Sequence, residues 1–328
     1  MILAGDVGGT KVVLALYEFV DNEIIERGKE VFQCVWYNGF GEIVAEFLGK
    51  HKDIASGVDV ASFGIAGPIE NDRCEITNLP WVVDAKELRA MFNFTEVKLL
   101  NDLESIAIAV PHLNAGDLHV LNDGVPVTDG VISVIAPGTG LGEAFLVSCG
   151  SRYRAFPSEG GHSDLTANTE IERELVAFLT EKFGHASFER AVCGSGIPNI
   201  YEFLKSSGRT SVPDWLEEEI ANEDDAAPVI ERYSRGTNAN EICVLTMRIF
   251  ASLLGAEVGN LALKMLARGG VYMGGGIPPR IIPLLEDDGF MHAFRSKGRM
   301  SELVSKIPVY VIMNPEAALL GAARATVA

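Results

Sequence analysis

The feature that most constrains the fold is a local pattern that occurs twice. An apolar run, a turn of glycine and threonine, and a second apolar run extend from Ile2 to Phe19 around Gly8-Gly9-Thr10. The same order of elements extends from Val131 to Cys149 around Gly138-Thr139-Gly140, about 130 residues further along the chain. Each copy predicts a hairpin with a glycine-rich turn. A repeat of this kind predicts a duplicated domain whose two halves face each other across a cleft.

The length agrees with two domains. The chain has 328 residues, of which 48% are hydrophobic, enough for about two domains with sizeable cores. The Ala-rich segment from Pro315 to Ala325 predicts a closing helix that packs back on the first half. We therefore expect a small α/β domain at 1–111 plus 315–328 and a large α/β domain with helical insertions at 112–314.

Charge and composition limit the kinds of molecule that the protein is expected to bind. The formal net charge is −18 and no Lys/Arg-rich run is present, which makes nucleic acid an unfavourable partner. The five cysteines are scattered, which is typical of a reducing cytoplasm, and the start of the chain lacks the pattern of a secretory signal. The apolar stretch Val244–Leu266 is interrupted by charged residues, so we expect a buried helix of a soluble protein and no membrane partner.

Both glycine turns can bind phosphate. In Gly5-Asp6-Val7-Gly8-Gly9-Thr10, backbone amides can approach an anion, the threonine adds a hydroxyl donor, and Asp6 can hold Mg²⁺ through water. The alternative for either turn alone is a purely structural hairpin. The second turn has the same donor chemistry at Gly138, Thr139 and Gly140, and two such turns could hold opposite sides of a nucleotide's phosphates. Neither turn matches the Walker A or the dinucleotide-binding pattern.

Asp102 is the candidate catalytic residue. It follows Asn101 at the end of a predicted strand, Val97–Leu100, and precedes a predicted helix, Leu103–Val110. Open α/β sheets place ligand chemistry at such strand ends. A carboxylate there can accept the proton of an attacking hydroxyl as a γ-phosphoryl group is transferred. The alternative is that Asn101 or Asp102 only caps the helix, and both roles are compatible.

A second polar group favours a polyol ligand. Glu159 and His162 flank two glycines, and Glu189 is expected in a helix that precedes Gly194-Ser195-Gly196. Carboxylate, amide and imidazole groups can together discriminate the hydroxyls of a sugar. The alternatives are a loop histidine and a surface glutamate; a metal site is disfavoured because His162 has no second histidine at ligand spacing.

Two further segments are weaker candidates. Asn78 lies in an expected turn and could reach a ligand or only satisfy that turn. Gly274-Gly275-Gly276 follow a predicted strand beginning at Val271, and the missing side chains would let the backbone approach a flat group such as adenine. The alternative for the glycines is a plain strand-to-helix turn.

Taken together, these motifs resemble those of the bacterial glucokinases, in the hexokinase and actin-like ATPase superfamily. The resemblance covers nearly the whole chain, through the segments Gly5–Thr10, Leu100–Asp102, Gly138–Gly142, Glu159–His162, Cys193–Gly196 and Gly269–Ile277. The closely spaced cysteines of the zinc-binding sugar kinases have no counterpart in this sequence, which favours the non-zinc group.

The resemblance implies a fold and an activity. The fold is two α/β domains with duplicated ribonuclease H-like, actin-like β-β-β-α-β-α cores that close over the sugar, commonly as a homodimer. The activity is ATP-dependent phosphorylation of glucose at its 6-hydroxyl with Mg²⁺, the first step of glycolysis.

The resemblance also implies residue roles. Asp102 would be the base, Asn101 would bind neighbouring hydroxyls, and Glu159, His162 and Glu189 would hold the anomeric side of the ring. The two glycine turns match phosphate segments and Gly274–Gly276 an adenosine segment. A kinase for another hexose, such as mannose or an amino sugar, stays an alternative, as does a non-catalytic sugar-sensing or actin-like assembly protein.

Overall fold

The structure is a computed structural model that describes residues 1–21, 23–76, 79–150 and 152–326. Its strands are, in chain order, β1 (Ile2–Val7), β2 (Lys11–Val20), β3 (Glu23–Gln33), β4 (Val60–Ile65), β5 (Ile69–Glu70), β6 (Arg73–Glu75), β7 (Val82–Asp84), β8 (Glu96–Asn101), β9 (Leu118–Asn122), β10 (Ile132–Pro137), β11 (Leu141–Cys149), β12 (Arg152–Ser158), β13 (Gly270–Met273) and β14 (Val309–Ile312). Its helices are α1 (Phe40–Lys50), α2 (Lys52–Ala55), α3 (Ala85–Phe92), α4 (Asp102–Ala109), α5 (Glu170–Phe183), α6 (Gly196–Ser206), α7 (Asp214–Ala221), α8 (Ala227–Arg232), α9 (Glu241–Lys264), α10 (Ile282–Leu285), α11 (Asp288–Arg295), α12 (Ser301–Ser305) and α13 (Ala317–Ala325).

The chain divides into two compact units. The first comprises Met1–Asp117, Leu146–Pro157 and Asn314–Ala328, and the second comprises Leu118–Phe145 and Ser158–Met313. These units are defined by packing alone. The functional domain boundaries expected from the sequence stay a prediction.

The first sheet has the strand order β3-β2-β1-β4-β8. Strands β1, β4 and β8 are parallel, β2 pairs antiparallel with β1, and β3 pairs antiparallel with β2. In this register Asp6 pairs with Gly64, and the next residue of β4, Ile65, pairs with Asn101. The carboxyl ends of the three parallel strands therefore meet at one edge of the sheet, and that edge carries Asp6 and Asn101.

The second sheet repeats this arrangement. Its order is β12-β11-β10-β13-β14-β9, in which β10, β13 and β14 are parallel and β9 is added antiparallel to β14. Counted along the chain within each copy and leaving out β9, both sheets have the order 3-2-1-4-5. The duplicated α/β core predicted from the two glycine turns is confirmed.

Helix α13 is part of the first unit and packs against α4 and β1. A side chain at Gly321 would overlap the backbone carbonyl of Ser105, so only glycine lets the two helices approach so closely. Leu319 and Ala322 belong to the same buried apolar cluster as Ile2 of β1. The closing helix therefore supports α4, the helix that begins at Asp102.

Helix α9 forms the centre of the second core. It is long and apolar enough to span a membrane, but 78% of its most apolar window is buried inside the protein. A side chain at Gly255 would overlap the carbonyl of Phe290, so α11 packs directly on the α9 backbone. The burial of this helix that the interrupted apolar pattern predicted is confirmed.

Candidate active site

In the first unit, the first glycine turn follows the buried strand β1. The amide of Gly8 donates a hydrogen bond to the carbonyl of Lys11 at 3.0 Å, which closes the turn and leaves Gly9 and exposed Thr10 at its tip. A Cβ atom on Gly5 would lie 2.7 Å from the ring of Phe63, so this glycine is required by core packing. The sequence placed Gly5 among the phosphate-binding residues, and the structure gives it a packing reason as well.

The strand-to-helix junction positions Asn101 and Asp102. The Oδ1 atoms of both residues accept a hydrogen bond from the amide of Leu103, at 3.0 and 2.8 Å respectively. The Nδ2 of Asn101 donates to the carbonyl of Gly67 at 3.1 Å. Asn101 therefore caps α4, as the capping alternative predicted, and its side chain is fixed at both ends.

The carboxyls of Asp6 and Asp102 share a mostly buried environment. Burial raises the pKa of Asp102, and hydrogen bonds from the amide of Leu103 and from Asn101 oppose that rise. Burial, and next the negative charge of Asp102, raise the pKa of Asp6 to about 6, whereas Lys11 lowers it. Each carboxylate is thus more basic than an exposed aspartate, a property suited to proton transfer near neutral pH.

This pair also fits a cation. Among the described residues, neither carboxylate forms an ion pair with a lysine or arginine. A positive ion is therefore favoured, because it would offset the cost of burial for both groups and the repulsion from Asp102 that adds to the rise in the pKa of Asp6. Mg²⁺ usually takes one or two protein carboxylates and completes its shell with water and substrate phosphate. The donor set at Asp6 therefore fits the predicted magnesium site.

In the second unit, the second glycine turn is tied to the segment that contains Glu189. The amide of Gly138 donates to the carbonyl of Gly140 at 2.8 Å, and the carbonyl of Gly138 accepts from the amide of Gly194 at 2.7 Å. A Cβ atom on Gly140 would lie 2.6 Å from Oε2 of Glu189. The amide of Gly138 is thus used within the turn, while Thr139 is exposed at its tip.

The third glycine segment lies beside this turn. Gly275 has φ +80°, and a Cβ atom there would lie 2.7 Å from the carbonyl oxygen of Pro137, the residue just before Gly138. The amide of Gly274 donates to the carbonyl of Ile135 at 2.8 Å. Two of the predicted nucleotide segments are therefore adjacent in this unit.

Glu159, His162 and Glu189 form one cluster. The Nδ1 of His162 lies 3.6 Å from Oε1 of Glu189, and its Nε2 lies 3.8 Å from Oε2 of Glu159. Side-chain exposure falls from 89% at Glu159 through 59% at His162 to 25% at Glu189, so the cluster opens to solvent at one end. The other oxygen of Glu189 accepts from the amide of Leu141 at 2.9 Å.

The expectation that Glu189 belongs to a helix is wrong. It lies in a turn, because its own amide and that of the preceding residue are hydrogen bonded to a distant segment and are not available to continue a helix. The amide of Glu189 donates to the carbonyl of Gly161 at 2.9 Å, and the amide of Phe188 donates to that of Ser163 at 3.1 Å. Asn78, the other weak candidate, lies outside the described residues.

Sequence reasoning missed Glu143, which lies on β11 beneath this cluster. Only 2% of the residue is exposed, and Oε1 has no hydrogen-bond partner within the described part of the chain. A Cβ atom on Gly160, between Glu159 and His162, would overlap Oε2 of Glu143. The available signal was a single acid inside an otherwise largely apolar strand, Leu141–Cys149.

The comparisons with known proteins agree on one family. A family model described as glucokinase matches residues 3–328. A glucokinase from Nostoc punctiforme is 38% identical over 338 aligned residues, which cover 98% of both chains. The solved glucokinase of an Antarctic psychrotroph superimposes with a TM-score of 0.87 at 30% identity, covering 99% of this chain and 98% of that one.

A more distant structure shows the fold alone. A sugar kinase of the ROK family from Streptomyces griseus, described as a glucokinase in complex with glucose and AMPPNP, superimposes with a TM-score of 0.62 at 18% identity. It covers 98% of this chain and 97% of its own.

Proposed function

The chain belongs to the glucokinase family and is an ATP-dependent glucose kinase, and from this premise we propose that Asp102 is its catalytic base. Asp102 accepts the proton of the glucose 6-hydroxyl as the oxygen attacks the γ-phosphorus of ATP. The attacking oxygen approaches opposite the bond to the leaving ADP, which breaks as the new bond forms, so the reaction is an in-line displacement.

The observation that carries this assignment is the setting of the Asp102 carboxyl. One oxygen is anchored by the amide of Leu103, so the orientation of the carboxyl is fixed before the substrate arrives. Its pKa is raised by burial, which makes it a better proton acceptor than an exposed aspartate. Positioned bases of this kind accelerate proton transfer by about 10²- to 10⁴-fold.

Four side chains are assigned to the sugar. Asn101 binds hydroxyls next to the reacting one, and Glu159, His162 and Glu189 hold the anomeric side. The distances of 3.6 and 3.8 Å from His162 to the two carboxylates support this set, because all three polar groups converge on one region. Each sugar hydroxyl both donates and accepts, so a carboxylate, imidazole and amide set can select one stereochemistry.

The glycine segments are assigned to ATP. Thr10 and Thr139, exposed at the tips of the two turns, contact the phosphates, and Gly274 and Gly275 approach the adenosine. Asp6 would hold Mg²⁺ through water. The ion, when bound, supplies positive charge that offsets the phosphates of ATP in a chain whose net charge is −18.

The family also bears on the compartment, the assembly and the pathway of the enzyme. We propose a cytoplasmic homodimer that supplies glucose 6-phosphate to glycolysis. All five cysteines are free and four of them are buried, which supports a reducing compartment. The homodimer is supported by the family resemblance.

The test is sugar-dependent ADP release from Mg-ATP by the wild type and by Asp102→Asn. The panel is glucose, mannose, fructose, galactose, glucosamine and N-acetylglucosamine. We expect a strong preference for glucose, and loss of at least about 100-fold in kcat in the variant with glucose binding retained. Near-normal turnover by Asp102→Asn would show that Asp102 is not the base. A preference for another hexose would show that glucose is not the main substrate.

A further inference from the structure

Glu143 stands out as a buried acid that the proposed chemistry does not use. It lies on β11, two residues after Leu141, whose amide binds Glu189. Its carboxyl is buried, and within the described residues Oε1 has no hydrogen-bond partner. Burying a carboxyl oxygen without a hydrogen bond costs free energy, so this position calls for an explanation.

The contact that explains Glu143 is the one with the glycine pair above it. A side chain at Gly160 would overlap Oε2 of Glu143, and a side chain at Gly161 would overlap the carbonyl of Leu141. Two consecutive glycines thus let this turn lie directly on β11. Glu159 and His162 are the residues on either side of that pair.

We propose that Glu143 is a positioning residue for glucose: its carboxyl supports Gly160 and so fixes the positions of Glu159 and His162. The inference rests on the assignment of those two residues to the sugar. It makes Glu143 a determinant of glucose affinity without a contact to the substrate. Its effect should therefore appear in the KM for glucose and leave the KM for ATP nearly unchanged.

A polar network of the second unit lies near enough to this carboxyl for its charges to act on it. Glu257 of α9 is fully buried and accepts from Lys264 at 3.2 Å and from Asn260 at 2.8 Å. Lys297, which follows α11, donates to Asn260 at 2.9 Å and to the carbonyl of Ala256 at 2.8 Å. These hydrogen bonds fix Glu257 and Lys264, the two charged groups that act on the carboxyl of Glu143.

The charge state of Glu143 changes near neutral pH. Burial, and next Glu257, raise its pKa to about 7, whereas Lys264 lowers it. At pH 6 the carboxyl is mostly neutral and packs against Gly160 without a charge. At pH 8 it is mostly ionised, and it adds negative charge near Glu257 and beneath Glu159. We therefore expect the KM for glucose to rise as the pH rises through about 7.

The experiment is a double-mutant cycle between Glu143→Ala and Gly160→Ala, with Glu143→Gln measured alongside. In the wild-type background, Gly160→Ala should raise the KM for glucose by about tenfold or more, because its methyl group meets the carboxyl. In the Glu143→Ala background the same change should cost less than about threefold, because the space is then available. The KM for ATP should stay within about twofold throughout.

Two further measurements separate positioning from general destabilisation. Glu143→Gln keeps the shape without the charge, so its KM for glucose should vary little between pH 6 and 8 while that of the wild type rises. Glu172→Gln is the matched control, because Glu172 is also a buried acid of this unit but caps α5; it should lower stability and leave the KM for glucose unchanged.

The outcomes distinguish this inference from the proposed function. If the wild type phosphorylates glucose and Gly160→Ala costs the same with and without Glu143, the carboxyl does not position the turn. An unchanged pH dependence in Glu143→Gln would equally overturn it. Calorimetric titration with glucose in the absence of ATP measures glucose binding without turnover. A wild type that binds glucose but does not phosphorylate it would refute the proposed function only.

Discussion

The carboxylate of Glu189 accepts a hydrogen bond from the amide of Leu141 at 2.9 Å. Leu141 is the first residue after Gly138-Thr139-Gly140. Glu189, proposed to bind the sugar, is therefore hydrogen bonded to the end of the turn that is proposed to bind phosphate. The other oxygen of the same carboxylate lies 3.6 Å from His162. Within the second unit, one side chain therefore links the sugar cluster to the nucleotide segment.

This link predicts that replacing Glu189 affects both substrates. Glu189→Gln presents an amide instead of a carboxylate to His162 and weakens the bond to Leu141, because hydrogen bonds to charged acceptors are the stronger ones. The KM for glucose should rise by about tenfold or more and the KM for ATP by about threefold. Glu202→Gln, which removes an exposed acid paired with Lys182, should change neither value. If only the KM for glucose rose, the hydrogen bond to Leu141 would have no effect on the binding of ATP by the turn.

Asp6 predicts opposite effects on stability and on activity. Its pKa is about 6 in the folded protein against 3.8 unfolded, so ionising it disfavours folding by about 3 kcal/mol above pH 6. Because the folded pKa is the higher one, stability is lost as the pH rises from about 4 to 6. Asp6→Asn should therefore unfold at a higher temperature than the wild type at pH 7.5, and the two should converge near pH 4. The same variant should bind Mg-ATP less tightly.

The control for Asp6 is Asp53→Asn, which removes an exposed carboxylate from the short helix α2. Its melting temperature should match that of the wild type at both pH values. If Asp6→Asn melts below the wild type at pH 7.5 in the absence of nucleotide, burial of the carboxyl is not unfavourable and the explanation of its pKa is wrong.

Neighbouring glycines provide a matched pair for the adenosine segment. Gly275 has φ +80°, which strains any other residue by about 1–2 kcal/mol, and a methyl group would lie 2.7 Å from the carbonyl of Pro137. Gly275→Ala should displace the segment and raise the KM for ATP while sparing the KM for glucose. A Cβ atom on Gly276 would lie no closer than 3.6 Å to Arg280, so Gly276→Ala should be nearly neutral. An unchanged KM for ATP in Gly275→Ala would show that the segment does not belong to the ATP site.

The sequence predicted what depends on local patterns. The glycine turn at Gly8 and its second copy at Gly138 each lie between strands that neighbour in the chain, so short-range signals identified both and the duplication followed. Glu189 was misassigned because its backbone bonds to Gly161, a contact made only by the folded chain. Glu143 was missed for the same reason, because its close approach to Gly160 exists only in the folded chain. The small sheet of β5, β6 and β7 was also unforeseen, because strands of two or three residues carry almost no pattern.

The last prediction separates the two roles of Asn101, which caps α4 and is proposed to bind glucose. Asn101→Ala removes a side chain that accepts from Leu103 and donates to Gly67, and loss of such a cap costs about 1 kcal/mol. Asp84→Ala is a control of the same kind, because Asp84 caps α3 through the amides of residues 86 and 87. Both variants should lose similar free energy of unfolding in urea. Only Asn101→Ala should also lose kcat/KM for glucose, by about tenfold or more, because glucose then loses the side chain proposed to bind the hydroxyls next to the reacting one. If the two variants were equally active, Asn101 would be a cap and nothing more.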